Sequence, residues 1–199
     1  MRRKVVAIVG TYRKSGMSGA AVEAVLEAAR ESGAETHTIY LTEHPIEFCT
    51  NCRECMQQAG VERGRCVQHD GLEPILEEIE TADAIVLGSP VNCGDVTAIF
   101  RRFMERLVGF GYWPWGRKAP VARMKTRRRK AVFVATSAMP GFLIPVATGA
   151  GKALRMTADL LGAHPVGRLW IGLAAMEPHQ PLPSRARKRA RRLGRKLAA

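Results

Sequence analysis

The feature that most constrains the fold is a regular alternation of strand-sized apolar runs with amphipathic helical segments. Lys4–Val9 is a short β-branched run that ends in a Gly-rich turn, and Val22, Val25 and Leu26 then follow at helical spacing. The same order recurs along the chain, with further strands predicted at 35–41, 84–87, 131–135 and 166–171. Five strands that alternate with five helices predict an α/β fold with a doubly wound parallel sheet and helices on both faces.

The length and composition indicate one domain of ordinary globular type. The chain has 199 residues, of which 46% are hydrophobic and 25% are charged. We predict a single domain over residues 1–199 that carries three distinctive segments: a cysteine-rich loop 45–69, an aromatic and basic loop 109–129, and a basic C-terminal helix 184–197.

The lengths of the apolar runs indicate whether the chain can cross a membrane or carry a signal peptide. A membrane span needs roughly 18 consecutive apolar residues, and the runs in this chain are only strand-sized. Residues 5–9 are too short for the core of a signal peptide, and no cleavage pattern follows them. We therefore expect no membrane span and a cytoplasmic protein, in which thiols stay reduced.

Helix starts are predicted from residues that commonly cap the first turn. Asp70 precedes an apolar stripe and has Glu73 three residues further on, which is the spacing of a capping box. Asp95 and Ser184 stand in similar positions before two later helices. We expect these three side chains to accept hydrogen bonds from first-turn N–H groups.

The charge of the chain is strongly positive but local. Lys and Arg number 31 against 18 Asp and Glu, which gives a net charge of +13. Residues 117–130 and 185–196 each contain eight basic side chains and no acid, while the remaining body is slightly acidic. Such a bias favours anionic partners, although a solvated basic face explains the same pattern and no nucleic-acid-binding motif accompanies it. Nucleic acid is therefore not an expected partner.

Two loops at predicted strand ends carry the residues suited to a ligand. The first has the sequence G-T-Y-R-K-S-G-M-S over 10–18, and small residues, hydroxyls and cations directly before a helix suit a phosphate. It is neither a Walker A motif nor a dinucleotide fingerprint. The second has the sequence G-S-P-V-N-C-G-D-V-T-A over 88–98 and leads into a helix that contains F-M-E-R.

Together these loops resemble the flavodoxin-like family of NAD(P)H-dependent FMN reductases. The family pattern is similar to G-S-x-R-x-x-G-x-[ST] after the first strand and to G-S-P-V-Y-x-G-x-x-x-A after the third. The resemblance runs from residue 4 to about residue 171, and it implies a flavodoxin-like doubly wound five-stranded parallel sheet of order 2-1-3-4-5. It also implies FMN as cofactor and NAD(P)H as electron donor.

The resemblance assigns cofactor contacts by position in these loops. It implies that the FMN phosphate is held by Thr11, Arg13, Ser15, Met17 and Ser18. It implies that the isoalloxazine edge lies along Pro90, Val91, Asn92, Cys93 and Gly94, with a less closely matched third loop contributing Ser137 and Gly141. The family's aromatic position after Pro-Val is Asn92 here, so aromatic cover would come from Tyr112, Trp113 and Trp115, or those rings are simply packed.

Four of the five cysteines are grouped in one loop. Cys49, Cys52 and Cys55 are each separated by two residues, which is a compact cluster spacing, and Cys66 follows after ten intervening residues. This resembles iron-sulfur flavoproteins of the same family and implies a 4Fe-4S cluster on Cys49, Cys52, Cys55 and Cys66. Three alternatives stay open: unligated or redox-sensing thiols, zinc on Cys52, Cys55, Cys66 and His69, and a disulfide.

The resemblance implies an enzyme that leaves its chemistry to the flavin, so no protein side chain is assigned a catalytic role. The acceptor would be a small molecule or a protein, and the family is commonly a homodimer or homotetramer. The alternatives are a non-enzymatic flavodoxin-like electron carrier and a basic polyanion-binding or nucleic-acid-binding module. We also hypothesise that the basic loop 109–129 favours the extra phosphate of NADPH over NADH.

Overall fold

A computed structural model describes residues 2–60, 62–124, 126, 128–177 and 179–199. The predicted loops 45–69 and 109–129 include Val61, Lys125 and Arg127, which lie outside the described residues. In chain order the elements are β1 (Lys4–Val9), α1 (Met17–Glu31), β2 (Glu35–Tyr40), α2 (Leu72–Glu80), β3 (Ala84–Asn92), β4 (Asp95–Val96), α3 (Ala98–Glu105), β5 (Gly111–Tyr112), β6 (Val121–Ala122), β7 (Arg129–Thr136), α4 (Ile144–Ala147), α5 (Ala150–Leu160), β8 (Ala163–Ile171) and α6 (Ser184–Ala198).

The main sheet confirms the predicted fold class and strand order. Its five parallel strands run β2-β1-β3-β7-β8, which is the order 2-1-3-4-5 of the flavodoxin-like arrangement. Strand β1 pairs with a neighbour on each side, with Val5 opposite Thr36 on β2 and opposite Ala84 on β3. The short strand β4 pairs with β3 in the antiparallel sense at the end of the sheet.

Apolar side chains alternate between two cores, one on each face of the sheet. Val5, Ala7 and Val9 of β1 pack with residues of α1 and α6, while Val6 and Ile8 pack with residues of α2, α3 and α5. Because both faces of the central strands are buried, their sequences are continuously apolar rather than alternating. Among the described helices, none combines the length and apolar character needed to cross a membrane.

The predicted helix caps differ from those observed. Thr97, not Asp95, caps α3, because its hydroxyl accepts from the Phe100 N–H at 3.3 Å. Cys93 and Gly94 form the turn between β3 and β4 with φ angles of 48° and 79°, and this hairpin takes Asp95 into β4.

The caps of the other two helices are shifted by one residue. Gly71 occupies the N-cap of α2, although the Asp70 carboxylate still accepts the Leu72 N–H at 3.0 Å. Pro183 occupies the N-cap of α6, and Ser184 is already the first helical residue. The predicted capping side chains therefore lie at the helix starts, but only Asp70 accepts a first-turn hydrogen bond.

Candidate active site

A cleft of about 280 Å³ lies at the carboxyl edge of the parallel sheet. Parallel α/β sheets bind ligands at this edge, where the loops that follow neighbouring strands diverge. The loops after β1, β7 and β8 contribute to the cleft, together with the last residues of β3 and β7 themselves. Its lining residues are Thr11, Tyr12, Arg13, Gly16, Met17, Ser18, Pro90, Val91, Asn92, Thr136, Ser137, Ala138, Ala174 and Ala175.

The cleft brings together eight of the twelve predicted cofactor residues. They come from three separate segments of the chain, which only the topology of the sheet makes adjacent. The eight are Thr11, Arg13, Met17, Ser18, Pro90, Val91, Asn92 and Ser137.

Four predicted residues lie outside the lining of the cleft. Ser15 is exposed in the turn before α1. Cys93 and Gly94 form the turn of the β3–β4 hairpin, where the Gly94 carbonyl oxygen accepts the Gly149 N–H at 2.8 Å. Gly141 lines a neighbouring cavity instead. Local loop geometry, which the sequence pattern does not specify, accounts for these placements.

Other lining residues were not among the predicted contacts. Tyr12, Gly16 and Ala138 belong to the same loops as predicted residues, and Thr136 is the last residue of β7. The strand-end rule alone would have included all four. Ala174 and the adjacent Ala175 follow β8, and an alanine carries no chemical signal that would single it out.

Buried hydroxyl groups fix the floor of the cleft. The Ser18 and Thr136 side chains, 3% and 4% exposed, form a hydrogen bond of 2.7 Å that joins the start of α1 to the end of β7. Thr97 donates to the Gly10 carbonyl oxygen at 2.6 Å and so connects the first loop to the start of α3. Gly10 is required there, because a Cβ would lie 2.6 Å from the Phe100 Cβ. The loops of the cleft are therefore held in a defined geometry.

Positive potential dominates one end of the cleft. Helix α1 begins after Gly16 with no side-chain cap and no acidic residue in its first turn. Its unpaired N–H groups and its dipole favour an anion at that position. Arg13 lines the cleft beside them, whereas the neighbouring Lys14 forms an ion pair with Glu43. None of the described lining residues is acidic.

These features suit a phosphorylated planar cofactor. Hydroxyls, backbone N–H groups and Arg13 at the α1 end can coordinate a phosphate. Pro90 and Val91 at the end of β3 and Ala138 after β7 provide apolar contact, and the Asn92 amide offers a hydrogen-bond donor and acceptor. The residues present therefore fit FMN, with the phosphate at the start of α1.

The aromatic loop lies against the cysteine loop within the chain. The Arg53 guanidinium lies 3.9 Å from the ring centroid of Trp113 and 4.1 Å from that of Trp115. Arg53 also donates to the Trp113 carbonyl oxygen at 2.6 Å. The aromatic residue in the cleft is instead Tyr12, whose hydroxyl accepts from the Ile99 N–H at 3.3 Å.

Part of the basic loop is turned inward as well. Arg123 is only 6% exposed, and its guanidinium donates to the carbonyl oxygens of Gly109, Gly111, Gly60 and Cys55 at 3.0 to 3.3 Å. Arg123 therefore joins the loop 109–129 to the cysteine loop and is not available to an external anion.

The four thiols of the cysteine loop are neighbours. All five cysteines of the chain are free. Burial, followed by the charges that Cys66, Cys49 and Cys52 would carry as thiolates, raises the pKa of the Cys55 thiol to about 11. Among the described residues, which include these cysteines and His69, no three His, Cys, Asp or Glu side chains are placed to hold a metal ion. Within the described part of the chain, these side chains therefore do not form a zinc or cluster site.

A buried ion pair supports the same loop. The Arg106 and Asp70 side chains are 1% and 7% exposed and lie 2.6 Å apart. Arg106 also donates to the Glu47 carbonyl oxygen at 2.7 Å and to the Cys66 sulfur at 3.4 Å. Burial acts to raise the pKa of Asp70, but the hydrogen bond from Arg106 and those from the Glu47 and Leu72 N–H groups hold it below its ordinary value.

Comparison with known proteins gives one family and several relatives. Residues 3–174 match the family described as NADPH-dependent FMN reductase. An iron-sulfur flavoprotein of Archaeoglobus fulgidus is 32% identical over 111 residues, which cover 56% of this chain and 48% of that protein. An iron-sulfur flavoprotein of Methanocaldococcus jannaschii is 36% identical over 103 residues, covering 52% and 51%. The matched stretch thus spans about half the length of each relative.

Solved structures agree on the fold. The NAD(P)H:quinone oxidoreductase of Methanothermobacter marburgensis superposes with a TM-score of 0.72 at 21% identity, covering 99% of this chain and 100% of that one. The FMN-dependent NADH-azoreductase of Bacillus anthracis, solved with FMN, gives a TM-score of 0.71 at 14% identity and covers both chains fully. At these identities the likeness concerns the flavodoxin-like fold alone.

Proposed function

Because the chain belongs to the NADPH-dependent FMN reductase family, we propose that it is an FMN-dependent oxidoreductase that passes electrons from NAD(P)H to a small-molecule or protein acceptor. The observation that carries the proposal is the cleft at the carboxyl edge of the sheet, with an uncapped helix start at one end and no acidic lining residue among those described. Family membership also favours a reductase over an electron carrier or a polyanion-binding module.

We assign the phosphate end of the cleft to four residues. Thr11, Arg13, Met17 and Ser18 line the cleft, and all four belong to the segment that leads from β1 into the start of α1. An anion placed there gains both the helix dipole and charge-assisted hydrogen bonds. In this assignment these residues bind and orient FMN, and none of them transfers a proton.

We assign the ring end to the end of β3 and to the loop after β7. Pro90 and Val91 provide an apolar edge, and Asn92 and Ser137 provide polar groups that can hydrogen-bond a heterocycle. When bound, FMN would accept hydride from NAD(P)H and pass electrons to the acceptor. The protein would tune that chemistry through backbone N–H groups and nearby charge, which explains why no catalytic acid or base is needed.

Two adjacent cations provide a matched test of the phosphate assignment. Arg13 lines the cleft, whereas Lys14 is ion-paired with Glu43 outside its lining. We expect Arg13→Ala to weaken FMN binding by about tenfold or more, because a charge-assisted hydrogen bond is lost. Lys14→Ala removes the same charge one residue away and is expected to change FMN affinity little. Quenching of flavin fluorescence measures both affinities.

Riboflavin, which lacks the phosphate, serves as the second ligand in this test. Arg13→Ala should leave riboflavin affinity unchanged if Arg13 contacts the phosphate. Equal losses of FMN affinity in the Arg13 and Lys14 variants would contradict the assignment, as would an equal loss for riboflavin and FMN in the Arg13 variant.

We propose separately that the iron content of the protein decides whether the cysteine loop holds a cluster or free thiols. The spacing of Cys49, Cys52, Cys55 and Cys66 favours a 4Fe-4S cluster, and two of the relatives are named iron-sulfur flavoproteins. In the described part of the chain, the four cysteine side chains do not converge on one metal position. The proposed transfer of electrons from NAD(P)H to the acceptor therefore does not depend on a cluster. Iron and acid-labile sulfide would be assayed in protein purified without oxygen. About four irons per chain would support the cluster, and no iron would leave free thiols.

We propose a homo-oligomer, a dimer or tetramer, in the cytoplasm. Val146 and Met176 follow β7 and β8 along the chain, and their side chains are 79% and 70% exposed. Apolar side chains exposed in the segments that follow two neighbouring strands favour burial by a second subunit. Light scattering over a range of concentrations tests this, and we expect Val146→Asp to shift the mass toward the monomer. The free state of all five cysteines is consistent with a reducing compartment.

A further inference from the structure

A second cavity of about 460 Å³ lies beside the cleft, between the edge strand β8 and the start of α6. Gly141 and Gly172 line this cavity, and their backbones are in contact, since a Cβ on Gly172 would lie 2.1 Å from the Gly141 nitrogen. Ser137, Ala138 and Ala174 of the same two segments line the cleft. The backbones of these two loops therefore form a shared wall between the cavity and the cleft.

The charged side chains of this cavity are all cationic. Arg168, Arg185 and Arg189 line it, and no acidic residue is among its described lining. The Arg189 Nε donates to the Arg168 carbonyl oxygen at 2.9 Å, which holds that guanidinium at the outer edge of β8. In the described part of the chain, none of the three arginines forms an ion pair with a carboxylate, so their charge is available to an anion.

The start of α6 adds to this positive potential. Pro183 stands at its N-cap, where it provides no side-chain acceptor, and the first turn contains no acidic residue. Pro183, Arg185 and Ala186 all line the cavity. The free N–H groups of the first turn and the positive end of the helix dipole therefore border the same space as the arginines.

The remaining lining is apolar and partly aromatic. Phe142 and Trp170 contribute rings, and Leu169 and Ile171 contribute aliphatic surface. The Trp170 indole nitrogen is buried and has no hydrogen-bond partner among the described residues. The volume lies within the range of small-molecule sites, roughly 300–1,000 Å³. A planar ring that carries phosphate matches this combination better than an inorganic anion does.

We propose that this cavity binds the phosphoadenosine half of NADPH, with its 2′-phosphate against Arg185 and Arg189. The inference rests on the proposed function, because the nicotinamide of the same molecule must then reach the adjoining cleft. It places the selectivity for NADPH at the start of α6 rather than in the loop 109–129. In that loop, Arg123 is committed to backbone carbonyl oxygens.

Calorimetric titration of FMN-loaded protein with adenosine 2′,5′-bisphosphate tests the proposal directly. We expect Arg185→Ala to weaken binding by about tenfold or more. Arg192→Ala removes the same charge from the same helix but does not line the cavity, and we expect it to leave binding unchanged. Arg168→Ala is a second variant, on the strand side, if Arg185→Ala fails to fold. In turnover, the Arg185 variant should raise the KM for NADPH and leave that for NADH unchanged.

Three results would overturn the assignment. They are equal losses in the Arg185 and Arg192 variants, absence of binding to wild-type protein, and equal affinity for adenosine 5′-monophosphate, which lacks the 2′-phosphate. FMN binding and reduction by NADPH are measured on the same preparations. If NADPH reduces the wild-type protein but the bisphosphate does not bind, only the assignment of this cavity is contradicted. If NADPH does not reduce the wild-type protein, the proposed function is contradicted.

Discussion

The Asp70–Arg106 pair shows how a single side chain supports the cysteine loop. Its position could not be predicted from the sequence, because an arginine near the end of a helix is normally solvent-exposed. Arg106 is buried since Asp70, the Glu47 carbonyl oxygen and Cys66, all far away in the chain, supply its hydrogen-bond acceptors. Nonlocal partners of this kind leave no periodic signal.

Asp70→Ala is expected to lower the free energy of unfolding by about 3 kcal/mol, because it leaves the Arg106 charge buried without its partner. Glu31→Ala is the matched control, since Glu31 pairs with Arg191 at the surface. An exposed pair of that kind contributes less than about 1 kcal/mol. Urea denaturation measures the unfolding free energy of both variants. Equal small losses in the two would show that the buried pair contributes no more to stability than the exposed pair does.

The lowered pKa of Asp70 also makes stability depend on pH. The folded protein binds this proton less tightly than the unfolded chain does, so ionised Asp70 contributes stability above its unfolded pKa of about 3.9. That contribution is lost as the pH falls through the folded pKa. We expect the unfolding free energy of the wild type to fall more steeply between about pH 5 and pH 3 than that of Asp70→Asn. Parallel pH profiles would contradict this.

At the scale of elements, the five parallel strands were predictable and the small elements were not. Buried strands such as β1 and β7 are continuous apolar runs that a sequence shows directly. Strands β4, β5 and β6 have two residues each and carry no periodicity. The basic run 117–130 is also only partly exposed, since Arg129, the first residue of β7, is turned inward and donates to the Ala82 and Leu161 carbonyl oxygens, both at 3.0 Å.

The contact between α6 and α1 depends on one glycine. A Cβ on Gly194 would lie 2.1 Å from the Val25 carbonyl oxygen and 2.9 Å from the Ala28 Cβ. We expect Gly194→Ala to destabilise the fold by about 1–3 kcal/mol through overpacking, although alanine is the better helix former.

Gly151 in α5 provides the opposite case for the same substitution. A Cβ there would meet the Pro145 Cα at 3.8 Å and the Trp170 ring at 4.0 Å, which are ordinary contacts. Gly151→Ala should be neutral or should stabilise by up to about 1 kcal/mol. Thermal unfolding compares the two variants, and a Gly194→Ala protein as stable as the wild type would refute the close packing of α6 on α1.

At the scale of the whole molecule, topology assembles the cleft from loops that are far apart in sequence. Eight predicted residues meet there because strands β1, β3 and β7 are neighbours whose carboxyl ends share one edge. Strand alternation alone predicts a doubly wound sheet, and the order of its strands came from the resemblance of two loops to a family. The conformations of the β3–β4 hairpin and of the segment after β8 depend on packing, so Cys93 and Ala174 could not be placed in advance.

Reduction of bound FMN by NADPH is tested most directly by the anaerobic reaction of FMN-loaded wild-type protein with NADPH, followed by visible absorption. We expect the protein to bind FMN in the cleft and NADPH to bleach the flavin bands, with dithionite giving the same final spectrum. Failure to bind FMN, or bands that dithionite bleaches and neither NADPH nor NADH does, would contradict the assignment of this chain as an FMN-dependent reductase.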